Sequence, residues 1–268
     1  MLALTACAGG SLRNQPSKID LPETAKVNIA SLSDVISANP NDANALNLRG
    51  AAYGQAGRYQ DALADFQKAT ELNPRFFQAF NNRALIYMKM QRPNEALEDY
   101  NRAISIAPTY HQAYLGRGKV YRATGKTALA IADFNKVIQL RSDEPIAYFD
   151  RGTVFQAMGQ HQKAEADFTT AVNLRPNAPK PYLARGQTRY ALGRYPDAAK
   201  DFAIAVEQLK EDPEAWAWRG MALEKAGDTD GATNAYRWSV YLKPGHGPAV
   251  DGLRRLGKSA GRGRPRGR

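Results

Sequence analysis

Residues 43–76 read ANALNLRGAAYGQAGRYQDALADFQKATELNPRF, and this stretch decides the fold of the chain. Its apolar and small residues recur at spacings of three and four, which is the pattern of an amphipathic helix. Leu46, Gly50 and Tyr53 share one face of a first helix. A second helix has its own such face, formed by Ala62, Phe66 and Ala69. Gly57 lies between the two and supplies the left-handed conformation that commonly ends a helix.

The same pattern returns every 34 residues, and no insertion breaks its register. One column contains arginine in every repeat: Arg49, Arg83, Arg117, Arg151, Arg185 and Arg219. The residue after each arginine is glycine or alanine. The residue seventeen positions after each arginine is aromatic: Phe66, Tyr100, Phe134, Phe168, Phe202 and Tyr236. Such a fixed period predicts stacked helix pairs, each of which buries its apolar face against its neighbours.

These columns resemble the tetratricopeptide repeat, a 34-residue helix–turn–helix unit with large, small and aromatic residues at set positions and a proline near its end. Closing prolines are present at Pro74, Pro108, Pro176 and Pro244. The resemblance implies an all-α fold, namely a right-handed superhelical α-solenoid of six helix pairs. The six repeats are residues 43–76, 77–110, 111–144, 145–178, 179–212 and 213–246.

Both ends of the array predict capping segments, which repeat arrays need to cover their terminal apolar faces. Residues 26–42 carry apolar residues where a second repeat helix would have them, so we interpret them as an N-terminal capping half-repeat. Residues 247–257 resemble the extra helix that follows the last repeat, and they predict a C-terminal capping helix. Residues 1–25 are interpreted as a truncated signal with a lipobox and a flexible linker, and residues 258–268 as a disordered basic tail.

The arginine column has a matching acidic column sixteen residues further on. Its members are Asp65, Asp99, Asp133, Asp167 and Asp201, and Ala235 replaces the acid in the last repeat. In the paired helices of the repeat the two columns lie at nearly the same level, so the pattern favours a structural ladder of bidentate Arg–Asp bridges. An arginine-lined surface for an anionic ligand is the alternative. Pairing between neighbouring repeats also stays open.

The resemblance further implies a concave groove that binds a protein or peptide partner through the first helix of each repeat. The hypothesis assigns to this groove Asn47, Asn81, Lys119, Arg122, Phe149, Leu183, Tyr190 and Met221. We expect the acidic part of a peptide near Lys119 and Arg122 and its apolar part near the later residues. The alternative is an ordinary exposed face, with the partner surface elsewhere. Nothing in the sequence decides between a monomer and a homodimer.

No catalytic, cofactor-binding or metal-binding motif is recognisable in the sequence. The three histidines, His111, His161 and His246, fall at different positions of different repeats, and we interpret them as surface residues. Neither a phosphate-cradling GxxxxGKS/T loop nor a GxSxG nucleophile elbow occurs. The sequence therefore predicts a non-catalytic scaffold that needs no cofactor.

The formal net charge of +11 requires that an anionic partner or surface be considered. Five of these charges lie in the tail GKSAGRGRPRGR, which contains no acid. The tail lacks the interleaved aromatic residues that would stack on bases, which argues against nucleic acid as its ligand. Anionic lipid, polysaccharide, an acidic partner or no dedicated ligand remain as alternatives. No segment approaches the roughly 18 consecutive apolar residues that would span a bilayer.

The single cysteine, Cys7, lies near the start of the chain in Leu4-Thr5-Ala6-Cys7. A single cysteine cannot form an intramolecular disulfide, so we infer its role from its position in the sequence. The four residues resemble a bacterial lipobox, in which the cysteine is lipidated (the modification that palmitate labelling detects) and becomes the mature N-terminus. The signal before it is only a few residues long and has no basic region, so we expect the true start to lie upstream.

The repeats and the lipobox together resemble tetratricopeptide lipoproteins of Gram-negative envelopes, such as pilotins of type IV pili, the lipoprotein of Flp pili and adaptors that dock peptidoglycan hydrolases. The resemblance implies a periplasmic scaffold that is anchored to a membrane by lipid and helps to assemble an envelope machine. Ala8 after the cysteine favours the outer over the inner membrane. The alternative is a cytoplasmic adaptor whose arginine–glycine tail contacts nucleic acid or an acidic partner.

Overall fold

The computed structural model describes residues 23–259 together with Gly261 and Pro265. All regular secondary structure of these residues is helical, in fourteen helices. The first seven are α1 (Glu23–Ala38), α2 (Ala43–Gln55), α3 (Tyr59–Leu72), α4 (Phe77–Lys89), α5 (Pro93–Ile106), α6 (His111–Ala123) and α7 (Thr127–Leu140). The others are α8 (Pro145–Ala157), α9 (His161–Leu174), α10 (Pro179–Ala191), α11 (Tyr195–Gln208), α12 (Pro213–Ala226), α13 (Thr229–Leu242) and α14 (Gly247–Arg255).

The chain divides into two compact units, Met1–Gln91 and Arg92–Arg268. In the first, α1 to α4 pack in chain order, and α2 also contacts α4. In the second, each helix from α5 to α14 packs against the next, and the alternate helices α6, α8, α10 and α12 contact one another in turn. Helix pairs stacked in this way form an α-solenoid, which confirms the predicted all-α architecture.

Helix starts follow the 34-residue period. Six helices begin at the first residues of the six predicted repeats: Ala43, Phe77, His111, Pro145, Pro179 and Pro213. Proline suits the first turn of a helix because its missing N–H would have no partner there. The first helix begins at Glu23 and not at residue 26, where the capping half-repeat was predicted to start.

In the helix pairs that lie within one compact unit, an aromatic ring of the second helix packs on a glycine of the first. These rings are at most 1% exposed, at Phe66, Phe134, Phe168, Phe202 and Tyr236. A Cβ added to Gly152 would lie 2.9 Å from Cε1 of Phe168, which is closer than carbon atoms pack. The glycine that follows the column arginine therefore lets the ring reach the backbone of the first helix.

A left-handed residue ends the turn between the two helices of a pair. In five repeats it is a glycine with φ from 71° to 89°: Gly57, Gly125, Gly159, Gly193 and Gly227. In the second repeat Gln91 takes this conformation, with φ of 58°, and it is the one non-glycine residue of the described chain with a positive φ. A side chain in this region costs about 1 kcal/mol relative to glycine, which is why glycine is the usual residue at this turn.

The last helix, α14, covers the apolar face of the final pair. Ala249 and Leu253 of α14 are buried against Tyr236 of α13. At the end of α14, Nε and Nη2 of Arg255 each donate to a carboxylate oxygen of Glu224 at 2.9 Å. Apolar burial and one ion pair thus dock this helix, in the place where a capping helix was predicted.

Four predicted segments fall wholly or mostly outside the described residues. The lipobox with Cys7, the signal and most of the linker lie within residues 1–22, and most of the basic tail lies beyond Ser259. Among the described helices, none is both long enough and apolar enough to cross a membrane.

Candidate peptide-binding surface

The first helices of successive repeats form one surface in the second compact unit, because α6, α8, α10 and α12 contact one another in turn. We name this surface the first-helix face. Six of the eight predicted groove residues belong to these helices: Lys119 and Arg122 on α6, Phe149 on α8, Leu183 and Tyr190 on α10, and Met221 on α12.

At the α6 end of the first-helix face, two basic side chains share one acid. Nη1 of Arg122 lies 3.0 Å from Oδ1 of Asp150, and Nζ of Lys119 lies 3.6 Å from Oδ2 of the same carboxylate. Asp150 is 3% exposed. Burial raises the pKa of its carboxyl, and the charges of Lys119 and Arg122 oppose that rise. The two predicted cations therefore lie together, but with part of their charge neutralised.

Sequence reasoning missed Asp150. The corresponding residues of the other repeats are Leu48, Asn82, Gly116, Ala184 and Trp218, so Asp150 is the one acid in its column. An acid at this position in a single repeat was the sequence signal that could have identified Asp150. With two cations against one carboxylate, this end of the face keeps a single net positive charge for a partner.

The predicted apolar residues lie on the same face and are packed against neighbouring side chains. Four of them are half-buried: Phe149, Leu183, Tyr190 and Met221. The rings of Phe149 and Phe168 are 5.7 Å apart between centroids, and Tyr190 meets Trp218 edge-on at 5.7 Å. Trp218, which sequence reasoning also missed, stacks on Phe202 at 5.9 Å and extends the apolar end.

An apolar pocket of about 240 Å³ opens at the N-terminal ends of α8 and α10. Its lining residues are Pro145, Ile146, Phe149, Ala178, Pro179 and Pro181, together with Arg175 and Lys180. Ile146 is 37% exposed, which is unusual for a large aliphatic side chain beside a proline-lined pocket. Arg175 and Lys180 are both exposed and add positive charge to an otherwise apolar site.

The two remaining groove residues lie in the first compact unit, on α2 and α4. Nδ2 of Asn82 donates to Oδ1 of Asn47 at 3.0 Å. Asn81 is 5% exposed, and its Oδ1 accepts no hydrogen bond from the described residues. Asn47 is thus half-buried and engaged, while Asn81 offers little surface to a partner.

Four arginines of the ladder bind the acid sixteen residues later in their own repeat. Nε and Nη2 donate to the two carboxylate oxygens at 2.7 to 3.0 Å in the pairs Arg49–Asp65, Arg117–Asp133, Arg151–Asp167 and Arg185–Asp201. Arg83 and Asp99 belong to different compact units, and each has interactions of its own. In these four pairs the bridges join the two helices of one repeat.

His246 is 8% exposed, so its interpretation as a surface residue is wrong. Its Nδ1 lies 2.8 Å from Oγ of Ser239, and its Nε2 lies 3.1 Å from Oε2 of Glu214. This serine, histidine and glutamate resemble a catalytic triad in composition only. Ser239 is 0% exposed and donates to the carbonyl oxygen of Pro213 at 2.7 Å, so a substrate cannot reach it. The arrangement joins the start of α14 to α12 and α13.

The family assignment follows from comparison with known repeats. Sequence models described as tetratricopeptide repeat match residues 43–76, 77–110, 146–178 and 183–245, and a model described as TPR repeat matches residues 118–159. The chain belongs to the tetratricopeptide repeat family. Tetratricopeptide repeat domains bind peptide or protein partners and are typically non-catalytic scaffolds for protein–protein interaction.

Solved structures of other proteins share this fold. A chain of the APC/C hetero-tetramer Cut9–Hcn1 superposes with a TM-score of 0.70 at 18% identity over 87% of the present chain, which spans 46% of that one. The pilF protein of Pseudomonas aeruginosa gives a TM-score of 0.70 at 16% identity, covering 87% of this chain and 100% of its own. YrrB, described as a TPR protein with an unusual peptide-binding site, gives 0.62 at 22% identity, with coverage of 70% and 97%. No curated protein matches the chain in sequence.

Proposed function

We propose that the chain is a scaffold whose first-helix face binds an extended peptide segment of a partner protein. An apolar side chain of the peptide occupies the pocket beside Ile146, and this pocket is the observation that carries the proposal. It is small enough for one aliphatic or aromatic side chain, and Phe149 and three prolines give it rigid apolar walls. Anchoring by one buried apolar group is the common basis of peptide affinity in such surfaces.

Charge near the pocket favours an acidic neighbour of the anchoring residue. Arg175 and Lys180 are exposed among the lining residues, and no acid lines the pocket. The shared site of Lys119, Arg122 and Asp150 adds a net positive charge on the same face. Complementary charge would direct the peptide and raise its association rate more than its affinity.

The first prediction replaces the exposed isoleucine of the pocket. Ile146→Glu places a carboxylate among apolar walls, and desolvation of that charge opposes entry of an apolar side chain. We expect capture of the specific partner to fall by about tenfold or more, with unchanged helix content. The measurement is quantitative mass spectrometry of proteins captured by the full chain from an extract of the source cells, with circular dichroism of each variant.

Ile204→Glu is the matched control. Ile204 is 38% exposed, nearly the same as Ile146, but it lies on α11 and does not line the pocket. Partners that are lost with Ile146→Glu and kept with Ile204→Glu support the proposal. An identical partner set for the wild type and both variants would place the binding surface elsewhere.

We further propose that Cys7 carries a lipid and holds the scaffold at the periplasmic face of a membrane, with the outer membrane favoured. The residues Leu4 to Cys7 support this, since a thiol preceded by small residues suits both thioether formation and cleavage. In that position the scaffold would assist the assembly of an envelope machine or dock its partner proteins. A cytoplasmic adaptor whose basic tail contacts nucleic acid or an acidic partner is the competing function.

The second prediction concerns this anchor. Labelled palmitate should be incorporated into the protein expressed from its native locus, and the protein should fractionate with membranes. Cys7→Ser should abolish both, because the chain contains no other cysteine to accept the lipid. Absence of label from the wild type, with the protein in the cytosolic fraction, would favour the cytoplasmic adaptor.

A further inference from the structure

Arg219, the last arginine of the ladder, has alanine at both positions where four of the other arginines have a polar partner. In four repeats the guanidinium binds the acid sixteen residues later and also donates through Nη1 to a side chain sixteen residues earlier. The earlier partners of Arg49, Arg117, Arg151 and Arg185 are Ser33, Asn101, Asn135 and Thr169, at 2.5 to 3.4 Å. For Arg219 the two corresponding residues are Ala235 and Ala203.

The Arg219 guanidinium is left without a counter-ion in the described part of the chain. Its Nε is buried and has no hydrogen-bond partner, and its Cζ lies 5.4 Å from the centroid of the Trp216 ring. Burial lowers the pKa of Arg219, yet an arginine stays charged at neutral pH. A partly buried, unpaired charge is costly, so an external anion at this position would be strongly favoured.

Arg219 lines a cleft between α11 and α12. The other lining residues are Ala203, Val206, Glu207, Gln208, Lys210 and Trp216, and the cleft has a volume of about 540 Å³. Val206 and Trp216 are buried and form apolar walls. Nε1 of Trp216 donates to the carbonyl oxygen of Lys210 at 3.1 Å, which holds the ring in place.

The charges of the cleft suit an anion. Arg219 and Lys210 are its two cations, and Glu207 is its one acid, so the net charge of the lining is positive. Glu207 is exposed and forms no ion pair with Arg219 among the described residues. A second cleft adjoins the first along the loop before α12, and its acids Glu211 and Asp212 restrict the anion-binding part to the lining around Arg219 and Lys210.

We propose that the Arg219 cleft binds an acidic peptide segment, with an aspartate or glutamate carboxylate neutralising the guanidinium from the side of Ala203. The carboxylate would accept from the terminal nitrogens of Arg219, because Nε is buried and Ala235 does not line the cleft. The cleft shares no lining residue with the pocket beside Ile146, so this proposal and the proposed function fail independently.

The experiment compares fluorescein-labelled hexaglutamate with hexaglutamine by fluorescence polarisation at physiological salt, on the full chain. We expect hexaglutamate to bind more tightly, and Arg219→Met to weaken it by about tenfold or more, because a charged hydrogen-bonded pair is lost. Arg237→Met, on α13 and outside the cleft lining, removes the same charge and is the matched control. Equal affinity for the two peptides, or equal effects of the two variants, would overturn the proposal.

A second variant gives Arg219 an acidic partner within the chain itself. Ala235→Asp reintroduces the acid that the other repeats carry, so it should pair with Arg219, raise the melting temperature and weaken hexaglutamate binding. If the buried site does not accept aspartate and the variant fails to fold, Ala203→Asn supplies the earlier partner instead, as Asn101 and Asn135 do. Unaltered binding in a folded restoring variant would contradict the proposal. Displacement by succinate at lower concentration than by unlabelled hexaglutamate would overturn the peptide as the ligand in favour of a small dicarboxylate.

Discussion

At the scale of single residues, the bridge between Arg117 and Asp133 shows how a buried charge is accommodated in this fold. Asp133 is 5% exposed and accepts from Nε and Nη2 of Arg117 at 2.9 and 2.7 Å. The third nitrogen of the guanidinium, Nη1, donates to Oδ1 of Asn101 at 2.6 Å. Because both charges are hydrogen-bonded, removing one partner leaves the other poorly solvated.

The third prediction therefore concerns Asp133→Asn. The amide keeps one acceptor but turns N–H groups towards the guanidinium and removes the compensating charge. We expect a loss of about 3–5 kcal/mol in the free energy of unfolding. Urea unfolding, followed by circular dichroism at the helix band, measures it.

Asp61→Asn is the control for this prediction. Asp61 pairs with Arg58 at 2.7 Å, but the two side chains are 48% and 40% exposed. Solvent screens such a pair, and its loss should change the free energy of unfolding by about 0.5 kcal/mol or less. If Asp133→Asn and Asp61→Asn lowered the free energy of unfolding by similar amounts, the buried Arg–Asp bridge would stabilise the fold no more than an exposed one.

At the scale of the element, the docking of α14 combines apolar burial with a charge that titrates. Glu224 on α12 accepts from Arg255 of α14 and from the hydroxyl of Tyr236 on α13, so one carboxylate joins three helices. The hydrogen bond from Arg255 is the main cause of a lowered pKa at Glu224, to which the Tyr236 hydroxyl and the charge of Arg255 add, while burial opposes them. A carboxyl with a lowered pKa in the folded state stabilises the fold above its unfolded pKa.

The fourth prediction follows from that sign. Glu224→Gln should lower the free energy of unfolding at pH 7 by about 1 kcal/mol, a modest figure because the Arg255 side chain is 54% exposed. The difference from the wild type should shrink as the pH falls below about 4.3, the ordinary glutamate value, and vanish below the lowered pKa of Glu224. Urea unfolding at a series of pH values measures both effects.

Glu98→Gln provides the comparison for the pH series. Glu98 is an exposed residue on α5, far in sequence from α14. Its replacement should leave both the stability at pH 7 and its pH dependence close to those of the wild type. A Glu224→Gln deficit that persists undiminished at low pH would mean that the carboxylate charge does not dock α14.

At the scale of the whole molecule, the described helices contact only helices close to them in the chain, so local changes should add. The helices around Asp133, α6 and α7, have no contacts with α12, α13 or α14. The fifth prediction is that Asp133→Asn and Glu224→Gln combined lower the free energy of unfolding by the sum of their separate effects, within about 0.5 kcal/mol. A deviation well above this value in a double-mutant cycle would reveal coupling along the second compact unit.

The period of the sequence predicted much of this molecule because helix geometry is local. The six repeat starts, the buried aromatic rings, the turn glycines and the acid opposite each paired arginine all recur at fixed offsets within one repeat. The same reasoning failed where residues depart from the period. Asp150 and Trp218 share one column that has no common residue, and His246 is the one histidine of its column, so the period does not say which side chains of neighbouring repeats they meet.

What the sequence by itself determined is the helix pair and its repetition, since spacings of three, four and thirty-four residues specify which side chains share a face. Only the tertiary structure decided which charges are already paired and which remain for a partner. Asp150 takes up part of the charge of Lys119 and Arg122, and two alanines leave Arg219 without its acid and its polar neighbour. The physical reason is that pairing depends on distances between side chains of different helices. Residue spacing along one helix does not give those distances.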